Sequence, residues 1–228
     1  GYGPHGAIVH YSATPETDIP VKPEGLLLVD SGGQYMGGTT DITRTIALGP
    51  LTKEEKRDFT IVLESMLALL TFRFPKGCAG FNLDAIARAP FWSRGMDYNH
   101  GTGHGVGYML SVHEGPNGIQ WQRRVKSEDA AFAPGMVTSD EPGIYIEGKY
   151  GVRHENLVEC VEAEPGSRYL EFRPITFAPI DLDAIDEDTL TETARLQLNA
   201  YHKEVYAKLA PHMREEELSW LREYTREI

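Results

Sequence analysis

The segment that most constrains the fold is VTSDEPGIYIEGKYGVRHENLVEC, residues 137–160, which has the form of a β-hairpin. Apolar and β-branched residues on both sides of a glycine-bearing turn are typical of two antiparallel strands. If Gly148 is the midpoint, Glu141 lies opposite Glu155, with Cβ atoms roughly 4.5–5.5 Å apart. Like charges in these positions destabilise a bare sheet, whereas a cation between them would create a binding site. A solvated polar face in a shifted register is the alternative interpretation of these residues alone.

A second acidic pair, Asp30 and Asp41, occurs in the hairpin-like segment LLLVDSGGQYMGGTTDITRT. A two-residue turn at Gly37-Gly38 would place both aspartates on one face of the sheet, but about 13 Å apart along the strand. Because that distance is too large for one ion, a shared site requires a β-bulge, expected at Gly32-Gly33, that shifts the register. Turn aspartates without a metal are the alternative.

His104, in the glycine-rich segment 97–116, supplies a nitrogen that complements the four carboxylates. Four carboxylates and one imidazole match the ligands of two divalent ions. Oxygen-dominated ligation with a single nitrogen favours Mn²⁺ over a Zn²⁺ site built from His and Cys. A dinucleotide-binding loop is disfavoured because GTGHGVG leads into a strand-like run, and an HExxH zinc-protease helix is excluded because Gly101 follows His100.

Composition excludes several classes of function. The 228 residues are 41% hydrophobic and 10% aromatic, as expected for one sizeable globular domain. The net charge of -12 argues against nucleic acid or an anionic membrane as the main partner. No apolar run approaches the length of a membrane span. The two cysteines, Cys78 and Cys160, favour free thiols in a reducing cytoplasm.

The order of predicted elements indicates an α+β fold, in which strand pairs are separated by helices. One helix is expected from a capping box at Thr52 and Glu55 to Phe74, and a second from Asn82 to Arg94 with a bend at Pro90. Two amphipathic helices split at Pro211 are expected at residues 191–209 and 213–226. Strands are expected at residues 7–11, 26–30, 40–47, 105–113, 135–147 and 151–163.

Together these motifs resemble the pita-bread metallopeptidases of family M24, and among them the cytosolic-type Xaa-Pro aminopeptidases. The ordered set Asp-x10-Asp, His, Glu-x13-Glu is specific to that fold, and GHGVG with VHEGP narrows the resemblance to the Xaa-Pro branch. The resemblance covers nearly the whole chain. The segments that carry it are VHYSATPET (9–17), VDSGGQYMGGTTDITRT (29–45), DYNHGTGHGVG (97–107), VHEGP (112–116), SDEPGIYIEGKYGVRHENLV (139–158) and PITFAPI with its helical tail (174–226).

The resemblance implies five metal ligands for two divalent metal ions, preferably Mn²⁺. Asp41 and Glu155 would bridge both ions. Asp30 would complete one metal site, and His104 with Glu141 would complete the other.

Four further residues would act on the substrate or support the ligands. By resemblance, His113 would bond the substrate carbonyl or shuttle a proton, and His10 would help to hold the peptide. His100 would line the proline pocket. Arg153, two residues before a ligand, would steady a ligand carboxylate near the substrate.

The implied reaction is hydrolysis of an Xaa-Pro bond by a metal-bridging hydroxide, which releases the N-terminal residue of a peptide with proline in second position. Glu141 would take the proton and pass it to the leaving proline nitrogen. Two alternatives remain: a prolidase-type Xaa-Pro dipeptidase, which shares the five ligands, and a non-catalytic pita-bread module that binds peptides.

The resemblance also predicts a catalytic domain at residues 1–180 and a C-terminal helical extension at residues 181–228. Relatives carry helices and a strand before the position of Gly1, so the catalytic domain is expected to be N-terminally incomplete. Uncovered apolar surface would then favour a homodimer or association with the missing N-terminal part. The expected partners are peptides with N-terminal Xaa-Pro, and the expected location is the cytoplasm.

Overall fold

A computed structural model describes residues 1–109, 111–122 and 130–228 of the chain. Its first sheet is an antiparallel hairpin of β1 (Leu26–Tyr35) and β2 (Gly38–Ala47). Burial alternates in one part of each strand, with Leu26 and Leu28 buried in β1 and Thr43 and Thr45 buried in β2, as expected where a sheet is half-buried. The strands predicted at residues 26–30 and 40–47 are therefore confirmed.

The segment before β1 differs from the prediction, because residues 7–11 do not form a strand. A 3-10 turn, Gly3–Ala7, is followed by further turns, and only Tyr2 bridges to Leu27. Pro4 is the second residue of the 3-10 turn, and Gly6 lies so close to Gly151 that a Cβ on the latter would overlap the carbonyl of the former. This glycine contact, which the apolar run AIVHY does not reveal, decides the conformation.

The long helix α1 (Lys53–Leu70) forms the centre of the core and contacts both neighbouring helices and the sheets. The predicted capping box is present, because Thr52 and Glu55 exchange hydrogen bonds at its N-terminus. The helix ends four residues before Phe74, and Thr71 caps it through a bond to the carbonyl of Leu67. Its completely buried apolar side chains are Phe59, Val62, Leu63, Met66, Leu67 and Leu69.

The next segment contains β3 (Phe74–Pro75), α2 (Gly80–Trp92), and a short pair of strands, β4 (Gly103–His104) and β5 (Gly118–Ile119). The second predicted helix is confirmed, with Pro90 inside it.

The strand predicted at residues 105–113 is wrong for the residues that the structure describes, and Leu110 lies outside them. Gly105 makes a single bridge to Thr138, and the backbone N–H of Glu114 then donates to the Gly105 carbonyl at 2.9 Å. This turn ends the pairing that a strand would need.

The two strands predicted around Gly148 are each broken in the middle. They form β6 (Val137–Asp140), β7 (Gly143–Ile146), β8 (Tyr150–Arg153) and β9 (Asn156–Glu162). With β10 (Tyr169–Pro174), the described strands give a four-stranded sheet of order β3-β10-β9-β6 and a separate β7-β8 pair.

The C-terminal region contains α3 (Glu192–Leu209) and α4 (Glu215–Tyr224), separated by a 3-10 turn that includes Pro211. Both predicted tail helices are confirmed. Buried Leu198, Tyr201 and Val205 face inward from α3, which packs against α1.

A buried arginine of α2 pairs with an aspartate of the same helix and also binds the segment that leads into β4. Arg88 donates from Nε to Asp84 Oδ2 at 2.6 Å, and both side chains are fully buried. The same guanidinium donates to the backbone carbonyls of Tyr98 and His100, both at 2.7 Å. Asp84 in turn accepts a hydrogen bond from Thr102 Oγ1 at 2.6 Å. Arg88 therefore fixes the path of the chain immediately before His104.

We expect Arg88→Met to lower the free energy of unfolding by about 3–5 kcal/mol, because it leaves Asp84 as a buried charge without its partner. The matched control is Arg173→Met, since Arg173 pairs with Glu159 at the surface. That change should cost about 1 kcal/mol or less. Urea unfolding followed by circular dichroism measures both, and equal losses would contradict the assignment.

Candidate metal centre

The first hairpin brings Asp30 and Asp41 together without a bulge. The register is continuous from Leu26 opposite Ala47 to Tyr35 opposite Gly38, with Gly32 opposite Asp41. The turn therefore lies at residues 36–37, one residue earlier than predicted, and the predicted bulge at Gly32-Gly33 is wrong. Moving the turn by one residue shifts the pairing by two. Asp30 and Asp41 consequently become diagonal neighbours on one face, a relation that spans roughly 7–8 Å.

The second hairpin has the predicted register. Asp140 pairs with Asn156 on one side of the break, and Gly143 pairs with Arg153 on the other, so Glu141 and Glu155 face each other across the gap. Neither glutamate belongs to a described strand. Instead, the Glu141 N–H donates to the Thr102 carbonyl at 2.8 Å, and the Glu155 N–H donates to the Thr43 carbonyl at 3.0 Å. The break thus joins this hairpin to the glycine-rich segment and to β2.

His104 lies against this break and points its Nε2 atom at the carboxylates. Nε2 is 3.3 Å from Glu141 Oε1 and 3.5 Å from Asp41 Oδ2. The Nδ1 atom is 3.0 Å from the Gly105 carbonyl, and since a carbonyl only accepts, Nδ1 carries the hydrogen. A Cβ on Gly103 would overlap the Ser139 carbonyl, so only glycine permits this approach.

Three of the predicted ligands form a compact group. Asp41, His104 and Glu155 each offer an atom, and these atoms lie within 4.8 Å of one another. Glu141 joins the group through its contact with His104. Asp30 is the most exposed of the five, and its Oδ2 atom accepts a hydrogen bond from Arg153 Nη2 at 2.6 Å.

The residues that support the ligands form a connected set of hydrogen bonds. Thr43 Oγ1 donates to Glu155 Oε2 at 2.7 Å and accepts from Arg153 Nε at 3.1 Å. Ser139 Oγ donates to Glu141 Oε1 at 2.9 Å and accepts from the His104 N–H at 2.8 Å. Sequence reasoning found Arg153 but missed Thr43 and Ser139. The available signal was their position two residues from a predicted ligand in TDITRT and TSDE, which puts them on the same face as that ligand.

The electrostatics of the group favour a cation. Burial raises the pKa of Glu155, and the nearby carboxylates of Glu141 and Asp41 raise it further. Burial also raises the pKa of Glu141. Burial lowers the pKa of His104, but the hydrogen bond to Asp41 and the other carboxylates outweigh it and raise the value to about 9. Carboxylates that repel one another beside an imidazole are a donor set that fits a divalent ion.

A cleft of about 470 Å³ opens beside this group, and the four predicted histidines and Glu141 contribute to its lining. The ring of His113 lies 4.2 Å from that of His104. His100 is packed between Tyr98 and Tyr145, and burial lowers its pKa to about 4. The structure therefore places His10, His100 and His113 along one cleft, next to the candidate ligands.

Comparison with known proteins identifies the family. Residues 1–162 match Metallopeptidase family M24, and residues 168–228 match the C-terminal region of peptidase M24. The chain belongs to metallopeptidase family M24, and its fold is the pita-bread fold of that family. This agrees with the α+β architecture and the resemblance drawn from the motifs.

Within the family, the chain is similar over its whole length to Xaa-Pro aminopeptidases. A probable Xaa-Pro aminopeptidase P of Talaromyces marneffei is 42% identical over 99% of this chain and 35% of its own length. The crystal structure of an X-prolyl aminopeptidase from Caenorhabditis elegans, described as a cytosolic enzyme with a di-nuclear active site, has a TM-score of 0.91 and 36% identity, covering 100% of this chain and 38% of that one. The chain thus spans little more than a third of these relatives.

An Xaa-Pro dipeptidase from Bacillus anthracis is less similar. It has a TM-score of 0.66 and 32% identity, and the match covers 79% of this chain and 46% of that one. In the described part of the chain, no helix combines the length and apolar character needed to cross a membrane.

We expect the metal-free protein to lose stability as the pH rises from about 6.5, the ordinary pKa of a histidine, to about 9. Glu155 and His104 both have a higher pKa in the folded chain, so they bind more protons folded than unfolded, and stability falls as pH rises through that window. Saturating Mn²⁺ should weaken or reverse this trend, since ligands release protons when a metal binds.

Thermal unfolding against pH, with and without a chelator, measures the effect. Glu155→Gln should show a shallower pH dependence in chelator than the parent protein. An unchanged slope in that variant would contradict the assignment of these protons to the ligand group.

Proposed function

We propose that the chain carries the active centre of a dinuclear metal-dependent aminopeptidase that hydrolyses Xaa-Pro bonds. The observation that carries the proposal is the convergence of Asp41, His104 and Glu155 within 4.8 Å, with Glu141 beside them. These residues come from two hairpins and a glycine-rich strand that are distant in sequence. The names of the relatives support Xaa-Pro specificity.

Two divalent ions, preferably Mn²⁺, would be held by Asp30, Asp41, His104, Glu141 and Glu155. When bound, such ions would lower the pKa of a water molecule towards neutrality and so supply the nucleophile. The carboxylate-rich donor set with one imidazole nitrogen supports Mn²⁺ over a thiolate-type zinc site.

The proton transfers are assigned to residues that face the cleft. Glu141 accepts the proton of the attacking water and passes it towards the leaving proline nitrogen. Burial is the first cause that raises its pKa, and a raised pKa favours uptake of a proton from water. His113 lies beside His104. Its proposed role is to bond the substrate carbonyl or to relay a proton.

The remaining cleft residues hold the peptide and the ligands. His10 and His100 line the cleft, and His100, neutral and packed on Tyr98 and Tyr145, is proposed to line the proline pocket. Arg153 binds Asp30 in the structure, which supports its role of steadying a ligand carboxylate. Its guanidinium is almost completely buried, so we propose that it supports substrate binding through the carboxylate that it holds.

A prolidase-type dipeptidase is the second candidate, since the structural match to the Bacillus anthracis enzyme supports the same centre. We further propose a catalytic domain at residues 1–180, a helical extension at residues 181–228 and a cytoplasmic location. The cytosolic description of the Caenorhabditis elegans enzyme supports that location. A homodimer, or association with N-terminal elements, stays a prediction.

We expect the full-length protein to bind two divalent ions per chain and to cleave Arg-Pro-Pro faster than the dipeptide Arg-Pro. Metal content by plasma emission spectrometry and release of arginine measure the two properties. Faster cleavage of the dipeptide would favour the prolidase alternative. Metal binding without hydrolysis of either peptide would favour a binding module.

We expect Glu155→Gln to abolish hydrolysis of Arg-Pro-Pro, lowering kcat/KM by about a thousandfold or more, because the change removes a charge from a ligand that would touch both ions. Each 1.36 kcal/mol of lost transition-state stabilisation is about tenfold in rate. His100→Ala should cost only about 10–200-fold, since pocket contacts are worth roughly 1–3 kcal/mol.

The matched control is Glu159→Gln, which makes the same change four residues later in the chain. Glu159 lies in β9 and pairs with Arg173 at the surface. It should leave the rate within about twofold of the parent. A Glu155→Gln protein that keeps a tenth of the parent rate would rule out the bridging role.

A further inference from the structure

Glu155 is held by a backbone arrangement that its own hairpin does not supply. It lies in the break between β8 and β9, outside both strands. Its N–H donates to the Thr43 carbonyl at 3.0 Å, and its carbonyl accepts from Arg44 Nη1 at 2.7 Å. Two residues of β2 therefore satisfy the backbone N–H and the backbone carbonyl of Glu155, which have no strand partner.

Arg44 connects this point to the C-terminal region. Its Nε donates to the Pro179 carbonyl at 3.1 Å, and Nη2 donates to the Ala178 carbonyl at 2.9 Å. Nη2 also lies 3.0 Å from the hydroxyl of Tyr201, on α3. Nη1 also donates to the Thr43 carbonyl at 2.9 Å, and Nη2 lies 2.8 Å from Asn156 Oδ1, so six acceptors surround the five N–H donors. All the acceptors are neutral carbonyl, amide or phenol oxygens, so the guanidinium acts here as a rigid bracket of five donors.

Tyr201 fixes the far side of this bracket. Its hydroxyl lies 3.1 Å from the Thr176 carbonyl and 3.0 Å from the Ala178 carbonyl, and the side chain is buried. A single phenol thus ties α3, the 176–180 segment and Arg44 together. Removal of the hydroxyl leaves Arg44 with its other acceptors but breaks its hydrogen bond to α3.

We infer that Arg44 is a positioning residue for Glu155, and that α3 takes part in ordering the metal centre through Tyr201. The chain of contacts is Tyr201 to Arg44, Arg44 to the Glu155 carbonyl, and the Glu155 carboxylate to the ligand group. The inference rests on the proposed function because it takes Glu155 to be a ligand. According to this inference, the C-terminal helix α3 helps to position a metal ligand and does not only stabilise the fold.

The test compares Tyr201→Phe, Arg44→Lys and the matched control Tyr206→Phe in the full-length protein. Tyr206 lies on the same helix, and its hydroxyl accepts from Arg222 at the surface rather than from Arg44. Calorimetric titration of the metal-free proteins with Mn²⁺, the melting temperature in chelator, and separate kcat and KM values for Arg-Pro-Pro are the readouts.

We expect Tyr201→Phe to weaken Mn²⁺ binding about tenfold and Arg44→Lys up to a hundredfold, the usual range for residues that support ligands. With Mn²⁺ at a fixed concentration, kcat should fall by a similar factor while KM changes less than about threefold. Tyr206→Phe should match the parent within about twofold in every readout.

A lower melting temperature in Tyr201→Phe with unchanged Mn²⁺ affinity and kcat would show a merely structural role and overturn the inference. If Arg44→Lys does not fold, the single-hydroxyl change in Tyr201→Phe still decides. A parent protein that binds Mn²⁺ but cleaves no Xaa-Pro peptide would refute the proposed function alone, because the affinity comparison still tests the inference. A parent that binds no divalent ion would refute both.

Discussion

The repulsion among the carboxylates at the centre of the two hairpins is the interaction on which the rest of the structure depends. Two unit charges about 4–5 Å apart, at an effective dielectric constant near 20, repel by roughly 3–4 kcal/mol. Asp41 and Glu155 lie within that distance of His104, and Glu141 adjoins them. These carboxylates can lie this close together only if some of them are protonated or if a cation is bound between them. The raised pKa of Glu155 shows that, without a metal, this carboxyl group tends to keep its proton. The surrounding hydrogen bonds keep the carboxylates together against this force.

Half of the site could be predicted closely from sequence, because a glycine-bearing turn with alternating apolar residues defines its own register. The residues around Gly148 determine the pairing of Asp140 with Asn156 and of Gly143 with Arg153, and Glu141 and Glu155 follow from it. The other hairpin was less determined. Adjacent Gly37 and Gly38 allow a two-residue turn in two positions, and a shift of one position changes the pairing by two residues. The prediction chose the wrong position and needed a bulge to repair it.

The features that sequence did not reveal depend on contacts between distant segments. Residues 7–11 have an apolar pattern typical of a strand, but the packing of Gly6 on Gly151 requires a 3-10 turn. Residues after Gly105 also look strand-like until the hydrogen bond from Glu114 turns the chain back. Thr43 and Ser139 likewise gain their roles only when β2 and β6 meet the ligands. Local strand propensity carries no information about contacts between distant segments. The alternating patterns at residues 7–11 and 105–113 were therefore wrongly interpreted as strands.

The ligands differ in how firmly the protein holds them, and this difference bears on metal selection. Glu155 is fixed at its N–H, its carbonyl and its carboxylate, by Thr43, Arg44 and the Thr43 hydroxyl respectively. Asp30 is half-exposed and held by a single guanidinium. A rigid carboxylate imposes a distance on the ion, whereas an exposed one adapts to it. The affinities of divalent ions for a given set of donor atoms follow a general order. A protein therefore selects among ions through the geometry of its site and the type of donor atoms. In the proposed centre, the rigid side built on Glu155, His104 and Asp41 would therefore select the ion, and the Asp30 side would accommodate the ion selected.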